Sequence, residues 1–409
     1  MVPFVLTLIP LAALVALVTT WGARALGRWL HALDGEGVAG QVKTAPRRVP
    51  NTGGVGIFLG FAVPLSAIVL LFSTVDVHVW LRESTWAREV LTRFSNLPAG
   101  ILANHAESFR EHGPWAWSVL LGVLALHILG LVDDRKPLPA LPKLLVMIGV
   151  SLGVLMLTQT RMFTFVDTLA GGTWASLALT LLWILIVTNA MNFLDNMDGL
   201  SAGVGAIAST SFMTIALLQG QWFIAGCFAL VLGSLVGFLW FNKPMASVFM
   251  GDGGSLVLGF LLAFLSVRIT YASTIWEGLP TDELPRMGQL RVPDSVTSWH
   301  AVLAPLVVLA IPLYDLTSVV LLRLRQGKNP MVGDLQHISH RFVRRGLSKP
   351  MAVMVICGFA GVAAIAGVLL TRTDTTGAVL IGTQVALLLL ILATIEFSGV
   401  VATSAEARR

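Results

Sequence analysis

Residues 189–202 read NAMNFLDNMDGLSA and lie between two apolar runs, 174–187 and 206–218. Windows of about 19 residues around each run are apolar enough to span a membrane as a helix. A carboxylate in such a helix costs roughly 2.5–3.5 kcal/mol at the bilayer centre and less near the surface, so acids kept there usually have a function. The stretch therefore predicts an all-α membrane protein with a functional polar cluster where two spans meet.

The polar side chains of this stretch share one side of a helix. If the first apolar run continues as a helix, Asn189, Asn192 and Asn196 lie on one face with Asp195 beside them. Carboxylate and amide oxygens suit a hard cation such as Mg²⁺. The alternative is that Asp198, which precedes a glycine, only caps the next helix. One cap leaves the rest of the cluster unexplained.

The composition excludes a soluble globular protein. The chain has 409 residues, 56% hydrophobic and 12% charged, with a mean hydropathy of +0.81, whereas a soluble domain is about 25% charged. We interpret residues 1–409 as one integral membrane domain. The net charge of +5 fits a nucleic-acid partner or basic loops facing anionic lipid, and the apolar composition favours the loops and no nucleic acid. Cys227 and Cys357 lie in apolar runs and suggest neither a metal site nor a disulfide.

Hydropathy predicts eleven spans in the inner (cytoplasmic) membrane. Of the 27 Lys and Arg residues, 18 fall on one side of these spans and 9 on the other. The positive-inside rule assigns the first side to the cytoplasm, with the N-terminus outside and the C-terminus inside. The first apolar segment has no basic residue before Arg24, so we interpret it as a retained helix. The expected spans are 2–22, 55–72, 115–132, 144–157, 174–187, 200–218, 222–241, 256–269, 302–322, 351–370 and 377–397.

A pair of adjacent carboxylates, Asp133 and Asp134, ends the third expected span, and Lys143 opens the fourth. Like charges at a membrane edge make one acid hold its proton more tightly. Such a pair can bind a metal or accept a proton from a phosphate or hydroxyl, and Lys143 can contact a phosphate as a point charge. A salt-bridge network with Arg135 and Lys136 is the alternative.

A glycine-rich turn precedes the eighth expected span, where residues 249–255 read FMGDGGS. Glycines let the backbone approach a ligand closely. The free N–H groups at the start of the following helix favour an anion such as a diphosphate, to which Asp252 can bridge a metal. The alternative is a plain turn in which Asp252 or Ser255 caps the helix.

A basic loop at 323–349 contains His337, His340 and Arg341. The histidines are three positions apart, so one helical face can present both. With Arg341 they predict a cationic patch that binds phosphates. A zinc site and a lipid-headgroup patch are the alternatives.

Two further features complete the polar inventory. Lys43 lies in the first basic loop and can contact a lipid phosphate or act as a positive-inside anchor. Asp315 is an acid within the ninth expected span that needs a partner, for which Arg323 and Arg325 are the candidates. All the polar clusters fall on the predicted cytoplasmic side. Together they indicate Mg²⁺-assisted phosphoryl transfer to an acceptor held in the membrane.

These motifs resemble those of the polyprenyl-phosphate N-acetylhexosamine-1-phosphate transferases, glycosyltransferase family 4. The similarity runs from about residue 34 to residue 346 and includes Pro312-Leu313-Tyr314-Asp315. The motifs follow the family's order, with Asp133-Asp134 and Lys143 first, then 189–200, 249–256 and 337–341.

The resemblance implies a reaction. A UDP-N-acetylhexosamine, with UDP-N-acetylglucosamine preferred, gives its sugar-1-phosphate to undecaprenyl phosphate. UMP leaves, and the lipid diphosphate-sugar that initiates cell-envelope polysaccharide synthesis remains. Direct in-line attack by the lipid phosphate is favoured, and a covalent aspartyl intermediate is the alternative. The expected partners are these two substrates and membrane lipids, and a homodimer is left open.

The resemblance also assigns residues. Asn192 and Asp252 would hold Mg²⁺, with Mn²⁺ as an alternative, and Asp195 and Asp198 would line the nucleotide and metal pocket. Either acid of the 133–134 pair would orient or deprotonate the lipid phosphate. The expected catalytic residues are Asp133, Asp134, Asp195, Asp198 and Asp252, and the expected substrate-binding residues are Lys43, Lys143, Asn189, Asn192, His337, His340 and Arg341.

This chain departs from the family pattern at two places. The family often has Gly at the position of Asn196, a difference that bears on the backbone near Asp195 but leaves the carboxylates in place. The branch that uses UDP-N-acetylmuramoyl-pentapeptide has consecutive histidines followed by an acid, whereas this chain has Ile338-Ser339 between its histidines and Arg341 after them. The pattern favours a UDP-N-acetylglucosamine donor over the peptidoglycan precursor. A transporter for a lipid-linked anion is a further alternative, which predicts acids near the midplane of several spans.

Overall fold

The computed structural model describes residues 1–32, 48–74, 83–85, 89, 110–269, 299–329 and 335–397. Within these ranges the chain is helical and has no β-strand, as expected. The helices are α1 Val2–Trp29, α2 Gly54–Thr74, α3 Gly113–Arg135, α4 Ala140–Thr158, α5 Val166–Ala170, α6 Trp174–Leu194, α7 Leu200–Leu218, α8 Trp222–Asn242, α9 Asp252–Arg268, α10 Ala304–Val308, α11 Ala310–Arg325, α12 Ile338–Arg344, α13 Lys349–Leu370 and α14 Thr375–Phe397.

Helices occupy all eleven positions at which spans were expected. Nine of the described helices are long and apolar enough to cross a membrane, and the bent pair α10 and α11 makes a tenth if it counts as one span. The remaining expected span is α9, whose 17 residues are fewer than the 18 that the length criterion requires. The protein is therefore a polytopic membrane protein.

The bend between α10 and α11 has a local cause. The two helices meet at Leu309 with an angle of 68°. Pro312 lies in the first turn of α11 and has no N–H to bond with the carbonyl of Val308, four residues earlier. The proline thus separates the two helices.

Helix α9 is the core of the bundle. Every residue from Gly253 to Ser266 is buried, because α2, α3, α6, α7 and α8 surround it. Small residues allow the close approach: a Cβ on Gly259 would lie 2.6 Å from the Cα of Thr188 in α6. Membrane helices commonly associate through such small residues. The beginning of α9 is thereby fixed beside the ends of α3 and α6, and we call this end of the bundle the polar end.

Candidate active site

The polar end brings together motifs that are far apart in the sequence. Asp133 and Asp134 end α3, Asn192 lies in the last turn of α6, and Asp252 begins α9. Lys143, in the first turn of α4, joins them. These contacts bring the three motifs together in one cluster.

Asp134 caps helix α9 from the neighbouring helix. Its Oδ1 accepts the Asp252 N–H at 2.9 Å and its Oδ2 accepts the Gly253 N–H at 3.1 Å. The next two N–H groups bond to the carbonyl of Gly251. The prediction of free N–H groups for a diphosphate is therefore wrong, since the Asp134 carboxyl group already accepts the first two of them. The alternative cap by Asp252 or Ser255 is wrong too, because Gly251 is the N-cap and no side chain of the turn caps it.

Glycines at the start of α9 and in the two helices that face it lie close against protein backbone or side chains. A Cβ on Gly54 would lie 2.3 Å from the Gly254 N, and one on Gly130 would lie 2.3 Å from the Gly253 N. Gly251 has φ +67° and ψ 176°, a conformation that is essentially restricted to glycine. A Cβ there would lie 2.5 Å from Asp134 Oδ2. The glycines therefore let α2 and α3 reach the start of α9.

An alternating chain of charges runs across the site. Lys143 Nζ lies 2.9 Å from Asp133 Oδ2 and also contacts Asp252 Oδ2. Asp252 Oδ1 accepts the Asn192 amide at 2.9 Å, and Asn192 also donates to Ser255 Oγ at 2.8 Å. Asp133 Oδ1 accepts the Leu138 N–H at 2.6 Å. One ammonium group is thus shared by two carboxylates, and Asp252 is the residue on which α3, α4 and α6 converge.

Asp195 and Asp198 lie on the loop between α6 and α7. Burial raises the pKa of Asp195 well above its usual range, the nearby carboxylates of Asp252 and Asp134 raise it further, and a hydrogen bond from the Gly251 backbone opposes them. Asp198 Oδ2 instead accepts the Ala246 N–H at 3.0 Å. The alternative that Asp198 caps α7 is wrong, because the N-cap is Gly199, with φ +76°, and no side chain caps it.

Asn189 does not join this cluster by a hydrogen bond. Its amide donates to the Leu185 carbonyl of its own helix at 2.7 Å. Asn196 likewise donates to the Phe193 carbonyl at 2.7 Å, while its oxygen accepts from Ser339 Oγ of α12. The asparagines that were expected to share one face therefore have different partners: Asn192 contacts Asp252, and Asn196 contacts Ser339 of α12.

We call residues 337–341 the histidine segment; it starts at His337, which immediately precedes α12. His337 Nδ1 lies 2.9 Å from Asp315 Oδ2, and Asp315 Oδ1 accepts the Ile338 N–H at 2.7 Å. Asp315 has a partner, as expected, and that partner is His337, where Arg323 or Arg325 was expected. The His337 ring also meets the Phe193 ring edge-on at 5.4 Å, so the segment packs directly on the end of α6.

His340 and Arg341 do not form the expected cationic patch. Burial, followed by the charges of His337, Arg344 and Lys349, lowers the pKa of His340 to about 4, so its ring is neutral at pH 7. Arg341 is only 5% exposed, and its guanidinium pairs with Glu396 at 3.1 Å. His340 has no hydrogen-bond partner within the described ranges.

Lys43, a predicted substrate-binding residue, is outside the described residues. Two further residues of the site, Asn51 and His127, were not predicted. Asn51 Nδ2 donates to Asp134 Oδ1 at 2.7 Å. His127 Nδ1 lies 2.7 Å from the Gly253 carbonyl and its ring stacks on Phe58. The seven-residue spacing of His127 and Asp134, which places both on one face of α3, is the only hint that the sequence offered.

The donor types of the cluster fit Mg²⁺. Asp133, Asp134, Asp195 and Asp252 offer carboxylate oxygens, while the single ammonium of Lys143 leaves an excess of negative charge if all are ionised. Within the described ranges no three His, Cys, Asp or Glu side chains are already grouped as a metal site. Asp252 and Asn192 are the best placed to hold a cation, because they touch each other at the centre of the cluster.

Comparison with known proteins adds an independent observation. Glycosyl transferase family 4 matches residues 116–270. A probable undecaprenyl-phosphate N-acetylglucosaminyl 1-phosphate transferase of Bacillus subtilis (strain 168) is 30% identical over 65% of this chain and 68% of the relative. The chain belongs to glycosyl transferase family 4. The family match contains Asp133 to Asp252, while the histidine segment and α14 lie beyond it.

Two further relatives have the same type of name. A decaprenyl-phosphate N-acetylglucosaminephosphotransferase of Mycobacterium leprae (strain TN) is 30% identical, over 65% of this chain and 67% of the relative. An undecaprenyl-phosphate alpha-N-acetylglucosaminyl 1-phosphate transferase of Escherichia coli (strain K12) is 28% identical, over 60% of this chain and 62% of the relative. This family member is thus similar to transferases named for two different polyprenyl phosphates.

Proposed function

We propose that this protein transfers N-acetylglucosamine-1-phosphate from UDP-N-acetylglucosamine to undecaprenyl phosphate in a Mg²⁺-dependent reaction that releases UMP. The observation that carries the proposal is the convergence of Asp133, Lys143, Asn192 and Asp252 at one end of a membrane bundle. The relatives' names agree with the reaction type. By the positive-inside rule we place the polar end in the cytoplasm, where a soluble nucleotide-sugar is available.

The bonds exchanged are between phosphorus and oxygen. An oxygen of the lipid phosphate attacks the phosphorus that carries the sugar, and the bond from that phosphorus to the UMP oxygen breaks. A sugar-linked diphosphate forms on the lipid, and UMP leaves with its electron pair. Because phosphoryl transfer needs little covalent chemistry, the protein acts mainly by positioning the substrates and balancing charge.

Asp133 is our candidate for contact with the acceptor. Both oxygens of Asp134 already accept hydrogen bonds, from Asn51 and from two backbone N–H groups of α9. Asp133 accepts fewer bonds: Oδ1 accepts the Leu138 N–H, and Oδ2 contacts Lys143, which it shares with Asp252. A lipid phosphate arriving at the end of α3 therefore meets Asp133 as proton acceptor, while Asp134 holds Asp252 in place.

The donor side comprises the α6–α7 loop and the histidine segment. Asp195 and Asp198 line one side, and His340, neutral at pH 7, offers a ring nitrogen to a sugar hydroxyl or phosphate. Asp252 and Asn192 would hold Mg²⁺, which when bound neutralises charge on the diphosphate. Lys143, between Asp133 and Asp252, is placed to balance charge where donor and acceptor meet.

The test is a reconstitution with purified protein. Undecaprenyl phosphate, Mg²⁺ and separate UDP-sugars are incubated with the protein, and released UMP is measured. We expect release with UDP-N-acetylglucosamine that requires the lipid and stops with a chelator. Asp252→Asn, compared at equal amounts of folded protein, should lower turnover by about 100- to 1,000-fold, the usual loss for a charge-stabilising group. Near-normal turnover of this variant would remove Asp252 from the mechanism.

The donor panel also tests the alternatives. Release only with UDP-N-acetylmuramoyl-pentapeptide would assign the protein to peptidoglycan synthesis. No UMP with any donor, from folded protein, would refute the transferase proposal and favour transport of a lipid-linked anion. The partners of Asp315 and Glu396, the acids within the ninth and eleventh expected spans, argue against transport, because Asp315 is held by His337 and Glu396 by Arg341.

A further inference from the structure

We propose that Glu396 of α14 and Arg341 of α12 form a buried positioning pair that holds the histidine segment against the α6–α7 loop. Glu396 lies outside the region of the family match and outside all four motifs. The kinetic part of this inference rests on the proposed function, and its structural part does not.

Glu396 is a buried acid with two side-chain partners. It is 2% exposed, and its Oε2 accepts the Tyr314 hydroxyl at 2.9 Å and lies 3.1 Å from Arg341 Nη2. Arg345 donates to the backbone carbonyl of Glu396. A buried carboxylate is expensive unless it is paired and hydrogen-bonded. Here the hydrogen bond from Tyr314 and the ion pair with Arg341 offset that cost, and they connect α14 to α11 and α12.

Arg341 uses its donors inside the protein. Nη1 donates to the Gln336 carbonyl at 2.8 Å, and Nη2 donates to Ser318 Oγ at 2.7 Å and lies 3.8 Å from Asp315 Oδ1. A phosphate can reach this guanidinium only if these bonds and the Glu396 pair are broken. Arg341 is therefore a positioning residue that acts through α12, in contrast to the phosphate-binding role that the resemblance implied.

The side of α12 that carries Ser339, opposite to Arg341, faces the α6–α7 loop. Ser339 Oγ donates to Asn196, the residue after Asp195, and His337 packs on Phe193. The acceptor-side residue Asp133 belongs to α3, and within the described ranges its hydrogen bonds and ion pairs go to Leu138 and Lys143 rather than to α12. A shift of α12 should consequently disturb donor binding more than acceptor binding.

The test uses Glu396→Gln, which keeps the size of the side chain but removes its charge and replaces one acceptor oxygen by an NH2 group, and Tyr314→Phe, which removes one hydrogen bond and keeps the charge. Asp374→Asn is the matched control, since Asp374 is exposed near the opposite end of α14 and only accepts the Gly377 N–H. Hydrogen exchange of the 338–344 amides is measured by mass spectrometry, with the end of α3 as reference. The Michaelis constants for donor and acceptor are measured separately in the reconstituted reaction.

We expect Glu396→Gln to speed exchange in α12 about tenfold and to raise the donor KM about tenfold, with the acceptor KM and α3 exchange unchanged. Tyr314→Phe should have a smaller effect in the same direction, and Asp374→Asn none. Unchanged α12 exchange in Glu396→Gln overturns the positioning pair, whatever the activity. Faster exchange with equal changes in both KM values, or only a loss of active protein, overturns the link to the donor. If α12 exchanges faster in Glu396→Gln and the wild-type protein itself shows no transferase activity, the positioning pair is supported and the proposed function is refuted.

Discussion

Gly251→Ala should disable the site through a single methyl group. The residue is the N-cap of α9 and has φ +67° and ψ 176°, a region in which a non-glycine residue costs about 1–3 kcal/mol. The new Cβ would also lie 2.5 Å from Asp134 Oδ2 and 2.6 Å from Asn51 Oδ1, whereas ordinary contacts begin at 3.4 Å. The Asp134 oxygen must therefore retreat by about 0.9 Å. Because Asp134 holds Asp252, and a misplacement of about 1 Å costs about 100-fold in rate, we expect turnover to fall about 100-fold.

Thermal unfolding in detergent and UMP release are measured together for this variant. Gly149→Ala is the control, because a Cβ at Gly149, within α4, meets nothing within 4 Å. Alanine is favoured over glycine in a helix by roughly 0.5–1 kcal/mol, so this control should melt at the same or a slightly higher temperature with normal turnover. A Gly251→Ala protein that melts like the wild type and turns over normally would refute the proposed coupling from Gly251 through Asp134 to Asp252.

Three further outcomes are expected. His127→Phe keeps the stacking on Phe58 but loses the hydrogen bond to the Gly253 carbonyl, so unfolding should become easier by about 0.5–1.5 kcal/mol, and an unchanged melting curve would contradict this. The pKa of His340 is about 4 in the fold against 6.5 when unfolded. Its contribution to stability is therefore complete above pH 6.5 and is lost as the pH falls towards 4, because the unfolded ring binds a proton first. Melting curves of His340→Asn should depend less on pH over that range than those of the wild type, and equal dependence would exclude His340 as the cause. Chelation should abolish UMP release and added Mg²⁺ should restore it, and turnover that survives exhaustive chelation would contradict a divalent cation at Asp252.

The sequence determined the fold class, the positions of the helices and most members of the candidate site. Apolar runs fix helices locally because the bilayer leaves the backbone no other partners, so helices were found at every expected span, although the ninth is broken at Leu309. Residue types that are expensive in a membrane marked Asp133, Asp134, Asn192 and Asp252 without any knowledge of their contacts. Charge and hydropathy are properties of single positions, and a linear sequence displays them directly.

Only the tertiary structure decided what these groups do to one another. Asp134 became the cap of a distant helix, the glycines of α9 became contact points for α2 and α3, and Arg341 was paired with an acid 55 positions later. Each of these depends on which helix faces which, and that is set by packing between segments remote in the chain. Burial then changed the chemistry as well, since a histidine that the sequence presents as a cation is neutral once α12 is docked.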